Sequence, residues 1–133
     1  MQEYQYFTDN IKIKILNNDA VIPTVQANDR KISFYMNKDC MIMPNKREIF
    51  KLGFVMSFNK ELLLLINNEP RLSSMNGIYI IPELIASTSK DEFAVTIENS
   101  QNGRATFKKG QKIAEGVLIM APFTVIQVVK GLD

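Results

Sequence analysis

Apolar and polar positions alternate along much of the chain in short runs broken by turn formers. Ile11-Lys12-Ile13-Lys14-Ile15-Leu16 has a period of two, the mark of a strand with one wet face, and Asn17-Asn18-Asp19 ends it. Pro23 to Asp29 reads as loop, Lys31 to Met36 as a second strand, and Cys40 to Met43 as a third that stops at Pro44-Asn45. Glu48 to Leu52 leads through Gly53 into Phe54 to Ser57, both strand-like. Leu62-Leu63-Leu64-Leu65-Ile66 is continuous rather than alternating, which suits a strand covered on both faces or lying at a subunit contact. Further strands are expected over Ile78–Ile81, Phe93–Ile97, Arg104–Phe107, Lys112–Met120 and Phe123–Val129, with Ala86 to Lys90 as a polar hairpin tip. The first ten residues mix polar positions with Tyr4, Tyr6 and Phe7 and fit either a frayed N-terminal extension or an extra edge strand.

Many short strands at a spacing of about 8–12 residues, without a convincing amphipathic helix, predict an all-β sandwich, barrel or jelly roll with very little helix. At 133 residues and 46% hydrophobic, the chain is long enough for one domain, residues 1–133, that buries about two-thirds of its unfolded surface.

Charge and composition narrow the chemistry. The 16 basic and 14 acidic residues are interleaved, and a net charge of +2 argues against dedicated nucleic-acid binding. No apolar run approaches the length of a membrane span, and the N-terminus lacks the pattern of a secretory leader, so a soluble, intracellular, cytoplasmic protein is expected. The absence of histidine removes His-based triads, His metal sites and imidazole proton shuttles. Acid–base chemistry would have to use carboxylates, lysine or tyrosine. The lone Cys40 cannot form an intrachain disulfide and reads as a small core residue.

The stretch richest in chemistry is Glu69-Pro70-Arg71-Leu72-Ser73-Ser74-Met75-Asn76-Gly77-Ile78. Arg71 offers a planar fork suited to phosphate or carboxylate, and Ser73 with Ser74 could open a helical turn whose N–H groups attract an anion. The plainer alternative is a strand-to-strand loop shaped by Pro70 and Gly77, with Arg71 in a structural ion pair and the serines capping a turn.

The order of these landmarks resembles the trimeric deoxyuridine triphosphatase (dUTPase) family over residues 11–130 or so. Ser33-Phe34-Tyr35-Met36, Pro44 and Gly53-Phe54 hold the places of its first motif and the turn and strand that follow. Pro70 to Ile78 is similar to its second motif, Pro-Arg-Ser-Ser and a short helix ending in Gly-Ile. Gly110-Gln111-Lys112-Ile113-Ala114-Glu115 is similar to the fourth, and Glu92 to Asn99 to the strand after the third. The resemblance implies a dUTPase-like barrel or jelly roll, a homotrimer, and nucleotide or phosphate contacts at Arg71, Ser73, Ser74, Gln111 and Glu115. A viral or phage-borne origin also follows from it alone.

The chemistry departs from that family. Counting back from Asn99 puts Ala86 where the family's water-orienting Asp is expected, Thr88 on a second acidic position and Ser89 on the Tyr beneath the deoxyribose. Ser33 stands in for the first-motif Asp and Leu72 for the first phosphate-binding Ser, unless a gap slides Ser73 into that role. Glu115 replaces a neutral Gln, and two like charges ~4 Å apart repel by about 4 kcal/mol at an effective dielectric of ~20. The sequence stops at Asp133, where the family continues into a Gly-rich arm. Asp91, Glu92 and Glu83 are the candidates for a displaced base, Asp91 and Glu83 foremost; otherwise they are solvated charges at a tip. The leading expectation is therefore a catalytically degenerate dUTPase-like protein that binds or regulates, with a nucleotide or a host or viral protein as partner and no cofactor. A divergent, Mg²⁺-dependent dUTP diphosphatase is the first alternative, and a structural jelly-roll component of a particle is the second.

Overall fold

The computed structural model describes residues 9–87 and 90–132, without the side chains of 74–76. The strands are β1 (Lys12–Ile15), β2 (Thr24–Val25), β3 (Ile32–Tyr35), β4 (Cys40–Ile42), β5 (Lys46–Lys51), β6 (Phe54–Ser57), β7 (Leu62–Asn68), β8 (Ile78–Ile80), β9 (Glu83–Ala86), β10 (Ala94–Asn99), β11 (Ala105–Phe107) and β12 (Lys112–Met120). One seven-residue helix, α1 (Pro70–Asn76), interrupts them. All recorded strand pairs are antiparallel, in sheets ordered β1-β6, β5-β10-β8, β11-β4 and β2-β3-β12-β7-β9. The all-β jelly-roll expectation holds.

A single apolar core draws on all four sheets. Phe54 and Met56, Phe50 with Val95 and Ile97, Ile42 with Phe107, and Phe34 with Leu64 and Ile66 are all buried in it. Phe93 stacks on Phe34 at 4.8 Å and on Phe54 at 5.2 Å between ring centroids, so one ring joins the five-stranded sheet to β6. At the middle of that sheet, β12 pairs with both β3 and β7, and Gly116 is packed so closely that an added Cβ would lie 2.8 Å from Phe34 Cε2.

Buried polar groups hold the connections. Asn99 is fully buried, and its amide nitrogen donates to the carbonyls of Ile42 (3.1 Å), Met43 (3.3 Å) and Gly103 (2.9 Å). Its Oδ1 accepts from the Gln101 N–H at 3.0 Å. The β4–β5 turn and the β10–β11 turn are thereby tied to one side chain, which satisfies carbonyls that would be costly to bury alone. Asn45 and Gly53, at φ of 56° and 86°, make the turns on either side of β5.

Several segments differ from expectation for identifiable reasons. Thr24–Val25 is a short edge strand inside the predicted loop, because β3 leaves an edge to which it can hydrogen-bond. Glu83–Ala86 is a strand on β7, so Ala86 ends a strand where the polar tip was expected to begin. Leu62, Leu64 and Ile66 enter the core while Leu63 and Leu65 are half-buried on the other face, so the continuous run is resolved by tertiary packing. Phe123–Val129 is not a strand: Phe123, Val125, Ile126 and Val128 are 88–93% exposed and have no strand partner among the described residues. Cys40 is half-buried against the core, and its burial pushes the thiol pKa up. The expectation for residues 1–8 lies outside the described residues.

Gly116→Ala should destabilise the protein by about 1–3 kcal/mol, because the new methyl overlaps Phe34 and Leu64 in a filled core. A urea midpoint unchanged from wild type would contradict this packing.

Candidate functional site

Glu69, not a serine, opens the central helix. It is buried, extended at φ −79° and ψ 119°, and its carboxylate accepts the Leu72 N–H at 3.1 Å. Pro70 follows at the first helical position, where its missing N–H costs nothing. Gly77, at φ 64° in the left-handed region, closes the helix by donating to the Leu72 carbonyl. At this turn, where an anion site was expected, a carboxylate of the chain itself occupies the helix start, and the Ser73 N–H donates to the Glu69 carbonyl at 3.3 Å. Ser73 lies within the helix, its hydroxyl donating to the Pro70 carbonyl. Arg71 is exposed and makes no salt bridge among the described residues, so the structural ion pair is not formed there either. The Ser74 side chain lies outside the described residues.

Beside this helix is a concavity of about 350 Å³. Leu65, Asn67 and Asn68 of β7 and Glu115 and Val117 of β12 line it, together with Ser73 and Lys31. The structure therefore brings Ser73 and Glu115 together. Gln111 is not among its lining residues: it sits in the β11–β12 turn, where its Oε1 accepts the Lys108 N–H at 3.2 Å and its backbone pairs with Met36 and Lys108. Gln111 is a turn residue here. Glu115 is held by Lys112 at 2.8 Å and Lys31 at 3.5 Å, which offsets the repulsion expected of a carboxylate in this place.

A second concavity, of about 190 Å³, lies at the root of the β9–β10 hairpin. Glu83, Asp91 and Glu92 border it over a floor that includes Met56, Phe58, Ile85 and Phe93. Glu92 has a structural task, since its Oε2 accepts the Gly53 N–H at 3.0 Å. Ser87 anchors the hairpin by accepting the Phe58 N–H at 2.9 Å and donating to the Phe58 carbonyl. Ala86 faces Leu63 across β9 and β7 and is exposed; a methyl can neither take a proton nor orient water. Thr88 and Ser89 lie outside the described residues.

No protein-family model and no curated protein matches the chain. Solved structures do. A dUTPase of Staphylococcus bacteriophage 80alpha superposes with a TM-score of 0.86 at 15% identity, covering 96% of this chain and 93% of that one. The fold is that of a dUTPase. A second 80alpha dUTPase structure, with dUpNHpp, gives a TM-score of 0.86 at 15% identity over 95% of this chain and 99% of that one. The dUTPase of phage phi11 of S. aureus gives 0.85 at 14% identity over 93% and 99%. The 80alpha enzyme is described as controlling transfer of virulence genes, and the phi11 enzyme as coordinating a structural Mg(II) ion. Among the described residues of this chain, no group of three His, Cys, Asp or Glu side chains is arranged to hold a metal ion, and no helix is long and apolar enough to cross a membrane.

Lys31, Lys112 and Glu69 were given no site role of their own from the sequence. Glu69 before Pro70 carried a usable signal, an acceptor just ahead of a first-turn proline. The two lysines carried none, because their role depends on strand pairing.

Glu69→Ala should cost about 1–2 kcal/mol by removing the cap. It should also speed amide exchange across 70–76 relative to β7, and equal exchange rates in the two proteins would rule out the capping role.

Proposed function

We propose that this chain is a binding and regulatory module on the dUTPase fold, assembled as a homotrimer, that does not hydrolyse dUTP. The observation that carries the reading is Ala86 on β9, where the family resemblance requires a carboxylate. Around it, Glu92 is committed to the Gly53 N–H, Glu69 occupies the helix start and Glu115 is paired with lysines. The partner is a host or viral protein or a nucleotide, and the phage origin of the structural neighbours supports a phage-borne regulator. Mg²⁺ is not required for binding on this reading.

One observation favours the other reading, a divergent dUTP diphosphatase. Glu83 and Asp91 border the same concavity, which supports reading one of these carboxylates as a displaced base.

Purified protein with Mg²⁺ should release no pyrophosphate from dUTP above background, since a positioned base is worth ~10²–10⁴ in rate. Ala86→Asp alone should restore little. Robust dUMP formation by the unmodified chain would overturn the proposal, and its loss in Asp91→Asn or Glu83→Gln would identify the base.

Assembly is separately testable. The exposed Phe123, Val125, Ile126 and Val128, with Leu84 and Ile119 on the sheet, leave more apolar surface open than an isolated subunit ordinarily tolerates. Light scattering should report three subunits at micromolar concentration, and a clean monomer would exclude the trimer.

A further inference from the structure

Strand β12 places two side chains together that a regular strand would send to opposite faces. Residues three apart in an even strand point away from each other, yet Lys112 Nζ lies 2.8 Å from Glu115 Oε1. The cause is a slip in register against β3 between Lys112 and Ala114. Ile113 and Ala114 are both fully buried as a result, and Lys112 is re-aimed to the side of Glu115. Lys31, just ahead of β3, reaches the other carboxylate oxygen at 3.5 Å. The Glu115 side chain is only 14% exposed, against 26% for Lys112 and 47% for Lys31. Both oxygens are therefore occupied at the wall of the larger concavity, close to Asn67 and Ser73.

We propose that Glu115 sets the ligand charge this concavity accepts: by engaging both lysines it excludes polyphosphate and admits a ligand with no more than one anionic group. Two lysines against one carboxylate leave a single surplus positive charge, and it resides on Lys31, the more exposed and more loosely held of the two. A polyanion needs both lysines, and drawing Lys112 away as well leaves the Glu115 charge unpaired beside it at a partly buried site where water screens it poorly. A single phosphate or carboxylate can draw Lys31 outward while Lys112 continues to neutralise Glu115. Asn67 and Ser73 then supply polar contacts, and Leu65 and Val117 an apolar floor. This inference rests on reading the concavity as the ligand site of the binding module.

Inorganic pyrophosphate, titrated calorimetrically without Mg²⁺, tests the charge rule apart from any hydrolysis. Wild type should bind it about tenfold or more weakly than Glu115→Gln at low salt, and the gap should narrow as ionic strength rises. Adding Lys31→Ala to Glu115→Gln should abolish the gain. Glu115→Ala, run in parallel, keeps the test open if the glutamine variant does not fold. Equal pyrophosphate affinity in wild type and a folded Glu115 variant would overturn the proposal, as would a gain that survives loss of Lys31. Hydrolysis of dUTP by wild type would instead count against the proposed function and leave these titrations to decide the charge rule independently.

Discussion

The structure depends on one aromatic stack. Phe93 lies between Phe34 of β3 and Phe54 of β6, and its backbone is bonded on both sides, donating to the Phe54 carbonyl at 2.7 Å and accepting the Leu52 N–H at 2.9 Å. A residue held by two rings and two backbone bonds has almost no freedom to shift, because core packing transmits small displacements rather than absorbing them. The root of the β9–β10 hairpin is fixed by it. Gly116 is a consequence of the same constraint, since the edge of Phe34 takes the space a side chain on β12 would need.

This arrangement separates the side chains that hold the fold from those that line the concavities. The core and the Asn99 hub involve side chains that face inward or bond to backbone groups, so their replacement costs stability directly. Ala86 is exposed on β9, and Ser73 of α1 and Glu115 of β12 line the larger concavity, where substitution alters charge and reach without disturbing the stack. The fold is shared with phage dUTPases at TM-scores of 0.85–0.86 although identity is near 15%.

Carboxylates stand at the start of α1 and among the residues that line the larger concavity. Glu69 takes the N–H at the start of α1, and Glu115 takes the ammonium groups of Lys31 and Lys112. Each is satisfied by its own chain, so neither is an unpaired charge awaiting a ligand. What the larger concavity has left over is one positive charge, on Lys31.

Much of the fold was legible in the sequence because strand periodicity and turn residues are local. Ile11 to Leu16, Lys31 to Met36 and Lys112 to Met120 became strands within one or two residues of their expected bounds, and the landmarks from Pro70 to Ile78 correctly pointed to the dUTPase fold. Composition likewise excluded imidazole chemistry outright. Tertiary structure decided the rest, since it concerns which atoms distant in sequence share a site. Ser73 joined Glu115 but Gln111 did not, because the turn at Lys108 uses its amide oxygen. Glu83 and Asp91 met at one hairpin root, and Phe123 to Val129 stayed unpaired because β-strands exist only where a neighbouring edge supplies hydrogen bonds. The Lys112–Glu115 pair contradicts strand periodicity and arises only from a slip in pairing with β3, a property of two strands together that neither sequence carries alone.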